Sequence, residues 1–325
     1  MTVSRVINGE KNVKSSTREA VLEAVAKLNY SPNLAARTLA GSEQIRLGLM
    51  YGNPSASYLS EFLIGSLEQA RLHHVQLVVE KCDGDQDEEV VARELLRGGV
   101  DGIILQPPLC DSARLQQVLI ELDALAVSVA SARPPEGLSV VRIDDFEAAR
   151  AMTQHIIGLG HRRIGFIVGD PNLTASPLRL AGYRRALADA GITEDATLVH
   201  PGLFTYRSGL VAAEALLALA DRPTAIFASN DDMAAAAVAI AHRRQLDVPR
   251  DLTVCGFDDT ELARSIWPEL TTIHQPIADM SRAAVDLLVE KIRARRSGRL
   301  LSARELLLDY TLVKRDSDAA LLDTD

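Results

Sequence analysis

From residue 45 onward, short and nearly uninterrupted apolar runs alternate with longer segments in which apolar residues recur at three- and four-residue spacing. A strand buried on both faces produces the first pattern, and a helix with one buried face produces the second. Regular alternation of the two is typical of βαβ units, in which helices cover both faces of a parallel sheet. The sequence therefore predicts an α/β fold with doubly wound parallel sheets.

The number of apolar runs indicates two lobes rather than one. Ten runs precede residue 275, which is many for a single twisted sheet, and they divide into two sets of five. The predicted strands are 45–51, 75–82, 100–106, 125–130, 140–144, 163–168, 197–201, 225–229, 252–257 and 270–274. The predicted core helices are 60–72, 88–97, 146–157, 177–190, 206–218, 233–244 and 280–296, and one more strand is predicted at 305–313.

This order of elements predicts that the chain crosses between the lobes near residues 160, 275 and 303. The first lobe would comprise residues 45–159 and 275–302, and the second lobe residues 160–274 and 303–315. The acidic end, residues 316–325, is expected to be disordered.

Composition places the chain among globular proteins with substantial cores, since 47% of the 325 residues are hydrophobic. No stretch approaches the roughly 20 apolar residues that a membrane span needs, and residues 1–10 lack the pattern of an export signal, so we expect a cytoplasmic protein without membrane contact. The widely spaced Cys82, Cys110 and Cys255 predict buried thiols rather than a disulfide or metal site. Neither a metal nor a cofactor is predicted.

Polar side chains follow many of the predicted strands, where ligands of open parallel sheets bind. They include Asn53, Asp144, Asp145, Asn230, Asp231, Asp232, Asp258, Asp259 and Gln275. A single Asp in such a place often caps the next helix, but Asp-Asp occurs three times here, which leaves one carboxylate of each pair for a ligand. With Arg179 and the aromatic candidates Tyr58, Phe204 and Trp267, these groups predict a site for a small polar molecule such as a saccharide.

Enzymatic interpretations have little support in the sequence. It contains no GxSxG nucleophile elbow, GxxxxGK[ST] phosphate loop or HExxH zinc helix. The segment Gly158-Leu159-Gly160 precedes a predicted strand, whereas a dinucleotide fingerprint would follow one. We therefore expect a binding protein, not an enzyme.

Residues 1–44 do not follow the α/β pattern and carry the opposite charge. Residues 1–46 hold seven basic and four acidic side chains (7 − 4 = +3), while the rest holds 28 and 40 (28 − 40 = −12), for a net charge of −9. Residues 1–32 predict a short helix at 2–7, an Asn8-Gly9 turn and an amphipathic helix that Ser16 and Glu19 begin with capping-box spacing. A second small helix and linker is predicted at residues 33–44.

At these residues the chain resembles the lactose/galactose repressor family. The resemblance starts in Thr2-Val3-Ser4-Arg5-Val6-Ile7-Asn8-Gly9 and Leu39-Ala40-Gly41. It continues through Gly160-His161-Arg162-Arg163-Ile164, Arg179-Leu180-Ala181-Gly182-Tyr183, Asn230-Asp231-Asp232-Met233-Ala234 and Gly256-Phe257-Asp258-Asp259, and covers about residues 1–315. It implies a helix-turn-helix headpiece, a hinge helix in the minor groove, and a core of periplasmic-binding-protein type that forms a homodimer and binds a small effector.

The resemblance also implies roles for individual residues. On operator DNA, Thr2, Ser4, Arg5 and Asn8 match the recognition helix and its exit, Asn12, Thr17, Tyr30 and Asn33 match backbone contacts, and Ala36 and Leu39 match the hinge. In the core, Arg179, Asn230, Asp258 and Gln275 match effector-binding positions, Phe204 matches an aromatic that packs on the effector, and Asn53, Ser55 and Tyr58 fall in the matching first-strand loop. With Asp145, these make up the predicted ligand site.

Two questions stay open at this point. Family members begin with a helix before the recognition helix, whereas Met1 stands inside the motif, so we expect the reading frame to extend upstream. The regulator interpretation competes with a solute-binding protein that lacks DNA-binding activity. Repression or activation, dimer or tetramer, and the identity of the effector cannot be decided from these residues.

Overall fold

The computed structural model describes residues 3, 6, 14–27, 44–82, 87–133 and 137–321, and the chain divides into two units after Gln44. In the first unit, helix α1 spans Ser15–Lys27, and the helical Val6 is buried while Val3 is exposed. Thr17 lies in the first turn of α1, partly exposed. The other predicted DNA-contacting residues lie outside the described residues: Thr2, Ser4, Arg5, Asn8, Asn12, Tyr30, Asn33, Ala36 and Leu39.

The second unit contains two sheets of six strands, as the alternating pattern predicted in outline. The first half runs β1 (Arg46–Tyr51), α2 (Ala56–His73), β2 (Gln76–Lys81), α3 (Glu88–Arg97), β3 (Gly102–Leu105), α4 (Ala113–Glu121), β4 (Leu125–Val129), β5 (Ser139–Arg142) and α5 (Asp145–Gly158). The second half runs β6 (Ile164–Ile167), α6 (Ala175–Asp189), β7 (Val199–His200), α7 (Tyr206–Leu217), β8 (Ala225–Ala228), α8 (Asp231–Arg243), β9 (Thr253–Asp258), α9 (Glu261–Ser265) and β10 (Thr271–His274). The chain ends with α10 (Ile277–Arg296), β11 (Glu305–Leu307) and β12 (Thr311–Val313).

Strand order is the same in the two lobes. The first sheet runs β11-β5-β4-β3-β1-β2 and the second β12-β10-β9-β8-β6-β7. All neighbours are parallel except β10 and β12. The chain order reverses beside β1 in one sheet and beside β6 in the other, and crevices for ligands form at the carboxyl ends of strands at such points.

The first crossing between the lobes lies earlier than predicted. Helix α5 packs against α6, β10 and β12 of the second lobe rather than completing the first. The contact with α6 is close because Gly182 has no side chain: a Cβ there would lie 2.2 Å from the Phe146 carbonyl oxygen. The predicted first-lobe boundary at residue 159 is therefore wrong, since the chain has already crossed when α5 begins at Asp145.

The third crossing is also misplaced in the prediction, because the single strand predicted at 305–313 is two strands. β11 pairs with β5 in the first sheet, and β12 pairs with β10 in the second. The crossing therefore lies between Leu307 and Thr311, not near residue 303. One alternating pattern spans both strands because the same core receives Leu306 of β11, Leu312 of β12, and Leu308 and Tyr310 of the segment between them.

Residues 316–321 are held by hydrogen bonds to the second lobe, so the prediction of disorder is wrong for this segment, while residues 322–325 lie outside the described residues. Ser317 is buried, its hydroxyl donates to the Val254 carbonyl, and it accepts from the amide of Thr271. The Asp318 carboxylate lies 2.6 Å from His155 Nε2. These bonds hold the acidic segment along the second sheet, which the charge of the segment alone could not indicate.

Two helices were not predicted, α4 and the short α9. The signal for α4 is present, because Ser112 accepts from the Leu115 amide as an N-cap and Leu115, Val118 and Leu119 are buried at helical spacing. All three cysteines are buried, and no disulfide joins them. Among the described residues, no helix combines the length and apolarity that a membrane crossing requires.

Candidate ligand-binding cleft between the two lobes

A cleft opens where the carboxyl ends of the central strands of both lobes meet. It encloses about 640 Å³ of empty space, part of which is open to solvent. Small-molecule sites commonly have volumes of a few hundred to a thousand Å³. Eight of the nine residues of the predicted ligand site line it: Asn53, Ser55, Tyr58, Arg179, Phe204, Asn230, Asp258 and Gln275.

Arg179, on α6, is the buried cation of the cleft. Its Nε donates to Asp145 Oδ1 at 2.8 Å, and its Nη1 donates to the Ser229 carbonyl at 2.5 Å and lies 3.7 Å from Asp258 Oδ1. The guanidinium carbon stands 3.5 Å from the centre of the Phe257 ring. A salt bridge, a carbonyl and an aromatic face together hold the guanidinium in one orientation.

Asp145, the ninth predicted ligand residue, does not line the cleft. It is buried at the start of α5, where its carboxylate receives the Arg179 Nε. Since α5 packs on the second lobe, Asp145 orients Arg179 from within that lobe. Trp267 is a second departure from prediction: its side chain is 77% exposed and lies away from the cleft lining.

Asp258 is aimed at the cleft by unusual backbone geometry. It is the last residue of β9 and has a φ of 113°, and Asp259 continues with a φ of 58°, both in the left-handed range that non-glycine residues seldom adopt. Burial raises the pKa of Asp258, Arg179 opposes the rise, and Asp231, Asp232 and Asp145 add to it. The strained backbone and the raised pKa are both features that mark functional sites.

Gln275 completes the polar floor of the cleft. Its Nε2 donates to Asp258 Oδ1 at 3.2 Å, while its Oε1 is buried and accepts no hydrogen bond from any described residue. The Tyr58 hydroxyl is likewise buried without a described partner. A buried polar atom without a partner is costly, so these two atoms are ready to bond a hydroxyl-bearing ligand.

A hydrogen bond from the Asn230 side chain to the Phe204 backbone fixes the positions of these two cleft residues. Asn230 caps α8, where its Oδ1 accepts from the Met233 amide, and its Nδ2 donates to the Phe204 carbonyl at 3.1 Å. The Phe204 ring lies over Gly169, since a Cβ at that glycine would stand 1.9 Å from the ring. The capping role and the cleft role of Asn230 are therefore compatible, because different atoms serve them.

Hydrogen bonds join the lobes across the cleft at two places, Ser55 with Asp232 and Thr174 with Asp111 and Ala132. Ser55, the N-cap of α2 in the first lobe, donates to Asp232 Oδ2 at 2.6 Å. Asp111 accepts from the amide and the hydroxyl of Thr174 in the second lobe, at 2.8 and 2.9 Å. The sequence analysis missed Asp111, which ends a 3₁₀ turn rather than following a strand directly, as well as the apolar cleft residues Pro54, Pro107, Pro108, Ala130, Leu173 and Leu203.

Asp259, beside Asp258, faces a different set of partners. It lies 3.0 Å from His274 Nδ1 and 3.1 Å from Arg264 Nη2, and it also pairs with Arg315. Burial disfavours the ionised carboxylate, but the hydrogen bonds from His274, Arg315 and Arg264 prevail and lower the pKa of Asp259 to about 2. One member of this Asp-Asp pair faces the ligand cleft and the other stabilises the loop.

Comparison with known families covers both units of the chain. A model described as "Periplasmic binding protein-like domain" matches residues 153–317, and one described as "Bacterial regulatory proteins, lacI family" matches residues 1–33. The catabolite control protein A of Priestia megaterium is 34% identical over 293 residues, which are 89% of this chain and 87% of that protein.

Solved structures agree with these matches over nearly the whole length. The complex of the transcriptional regulator CelR with cellobiose is 32% identical, covers 97% of this chain and 94% of its own, and superposes with a TM-score of 0.77. The lac repressor dimer bound to operator and the anti-inducer ONPF is 28% identical, with coverage of 98% and 95% and a TM-score of 0.79. With a lacI-type headpiece and a two-lobed core that both match, this chain belongs to the lacI family of bacterial regulatory proteins.

Proposed function

We propose that the chain is a DNA-binding transcription regulator whose affinity for operator DNA is set by a neutral saccharide bound in the cleft between the lobes. The assembled cleft carries this proposal. Two adjacent hydroxyls of a sugar can each exchange paired hydrogen bonds with Arg179 and Asp258, while Phe204 covers an apolar ring face. A relative with the same architecture was solved with cellobiose.

Calorimetry with a saccharide found by thermal-shift screening tests the site. Arg179→Lys removes the planar fork while keeping the charge, and Asp258→Asn keeps the size of the side chain. Each should weaken binding at least tenfold, because a buried hydrogen bond to a charged group is lost in both. Arg207→Lys, on an exposed side chain of α7, is the control and should bind as the wild type does. Wild-type affinity in both cleft variants would refute the assignment.

We further propose that the chain acts as a homodimer on a palindromic operator, in the bacterial cytoplasm where that DNA lies. Apolar side chains are exposed on the first lobe, Ile64 and Leu67 three residues apart on α2 and Val79 on β2, the edge strand of its sheet. Clustered exposed apolar residues are typical of interfaces. A twofold pair of cores would bring two headpieces to two half-sites.

Sedimentation at micromolar concentration tests the dimer. The wild type should sediment as a dimer, and Leu67→Glu combined with Ile64→Glu should shift it to the monomer, because two charges would have to be buried at the interface. Val211→Glu places a charge on an exposed apolar position of α7 and should leave the dimer intact. A wild type that sediments as a monomer at every concentration would contradict the proposal.

A DNA-binding experiment distinguishes the regulator from a solute-binding protein that lacks DNA-binding activity. Selection from a pool of random duplexes should enrich a palindromic site, and the saccharide should change its affinity, since linkage makes effector and operator binding reciprocal. No enrichment of any site, with at most weak and salt-dependent binding that has no sequence preference, would favour the solute-binding interpretation.

A further inference from the structure

A second pocket lies on the first lobe, at the edge of its sheet opposite the cleft. It is bounded by the end of α4, the segments that lead into β4 and β5, and the last turns of α10, and it contains about 770 Å³ of empty space, part of which is open to solvent. Three cationic side chains line it, Lys291, Arg295 and Arg299. Nothing in the proposed function uses this pocket.

Lys291 is the group that distinguishes this pocket from an ordinary basic surface. Its side chain lies on the buried face of α10 with 6% of the residue exposed, and no acceptor or carboxylate of the described residues pairs with its amino group. Lysines are almost never this buried unless they are paired. Burial, together with Arg304 and Arg295, lowers the pKa of Lys291, as expected for a cation that lacks a counter-ion.

The neighbouring charges leave a net positive balance. Arg295 is paired, because its Nη2 donates to Asp123 Oδ1 at 3.0 Å. Arg299 donates from Nε to the Ser297 hydroxyl at 3.2 Å and forms no ion pair with a described residue. Three cations and the one carboxylate of Asp123 therefore leave two positive charges around the pocket, which match the dianion of a phosphate monoester.

The rest of the lining is apolar and partly exposed. Ile120, Leu300 and Leu301 stand at the rim, and Leu300 is 88% exposed. An occupant that combined a phosphate with an apolar body would neutralise the buried lysine and cover these side chains at once.

We propose that this pocket is a second, anionic ligand site, which takes a small organic phosphate with an apolar body. The phosphate lies between Lys291 and Arg299, and the body of the ligand lies on Leu300, Leu301 and Ile120. Helix α10 runs from the cleft to the pocket: its first residues follow Gln275 of the cleft, its last two turns carry Lys291 and Arg295, and Arg299 follows its end. An occupant could therefore act on the sugar cleft through one rigid helix about 30 Å long.

Calorimetry on the full chain with inorganic phosphate and with phenyl phosphate, at constant ionic strength in chloride, tests the proposal. Phenyl phosphate should bind saturably and at least tenfold more tightly than inorganic phosphate, because only it covers the apolar rim. Lys291→Met keeps an unbranched apolar stem and removes the amino group, and Arg299→Gln changes an exposed side chain, so the second variant tests the site even if the first unfolds. Each should weaken phenyl phosphate binding at least tenfold.

The control is Arg207→Gln, which removes an exposed cation from the second lobe and should bind phenyl phosphate as the wild type does. Affinity should also fall as the pH rises through the lowered pKa of Lys291, since the neutral amine no longer attracts the anion. No saturable binding of phenyl phosphate, or equal binding by the wild type and both variants, would overturn the proposal. Because neither probe is a saccharide, this result is independent of the test of the cleft.

Discussion

The two lobes contribute different chemistry to the same cleft. The second lobe supplies Arg179, Asn230 and Asp258, each fixed by bonds within that lobe before any ligand arrives. The first lobe supplies mainly shape, with Pro54, Pro107, Pro108 and Ala130, and a few polar atoms on Ser55, Tyr58 and Asp111. We infer that the second lobe orients a ligand and that the first lobe closes over it, so that mutations in the two should differ in kind.

The largest effect is expected where the second lobe holds buried charge. Arg179→Met would leave the Asp145 and Asp258 carboxylates buried without their cation, and should lower the free energy of unfolding by about 3–5 kcal/mol. Chemical denaturation measures this loss. Adding Asp145→Asn to the variant should restore part of it, because one stranded charge is then removed. If the double variant is no more stable than the single one, Asp145 does not depend on Arg179.

Gly169→Ala should show how much the position of the Phe204 ring contributes to saccharide affinity, apart from the charged groups of the second lobe. The new methyl group would collide with the Phe204 ring, and moving the ring costs about 1–3 kcal/mol. Saccharide affinity measured by calorimetry should fall at least tenfold, while the Arg179 network stays intact. Gly191→Ala is the control for general destabilisation. The space around Gly191 is open, so a methyl group meets no neighbour there, but the φ of +68° would strain an alanine. Unchanged affinity in Gly169→Ala would show that Phe204 does not cover the ligand.

Closure by the first lobe should have a smaller effect. Asp232→Ala and Ser55→Ala each remove the hydrogen bond between Ser55 and Asp232, which is worth about 1 kcal/mol. Each should weaken saccharide binding several-fold, because the closed form is then less populated. The Ser55 variant also loses the cap of α2, so the double variant is needed to isolate the bridge. In a double-mutant cycle on affinity the two changes should not add. Simple additivity would mean that the bridge plays no part in closure.

The smallest effect is expected from pH, at the Asp259 cluster of the second lobe. A carboxyl whose pKa is lowered on folding stabilises the fold above its unfolded pKa, near 4, and this stabilisation is lost as the pH falls toward about 2. The melting temperature of Asp259→Asn should therefore lie below that of the wild type at pH 6, and the gap should narrow between pH 5 and pH 2.5. A gap that is constant over this range would show that the Asp259 bonds do not depend on its charge.

Much of this protein could be predicted from local pattern. Apolar runs and helical spacing identified ten strands and the main helices, since burial on both faces of a parallel sheet needs residues that any window of the chain displays. Eight of nine predicted cleft residues line one site because ligands of such sheets meet the chain just after the strands. The prediction from the doubled Asp residues was mostly wrong, because only Asp258 of the six lines the cleft, while Asp145 receives Arg179 and Asp231 receives Thr260 and Thr272.

What only the tertiary structure decided is which surface each element meets. Helix α5 is amphipathic whichever lobe covers it, so its sequence could not show that it packs on α6. The alternation of residues 305–313 is the same for one strand or for two strands in different sheets. Asp145 and Asp258 both lie near the carboxyl end of a strand, yet one orients Arg179 and the other lines the cleft, because the position of a side chain depends on neighbours that are distant in sequence. The spacing of apolar residues shows which face of a helix or strand is buried, but only the tertiary structure shows which element covers that face.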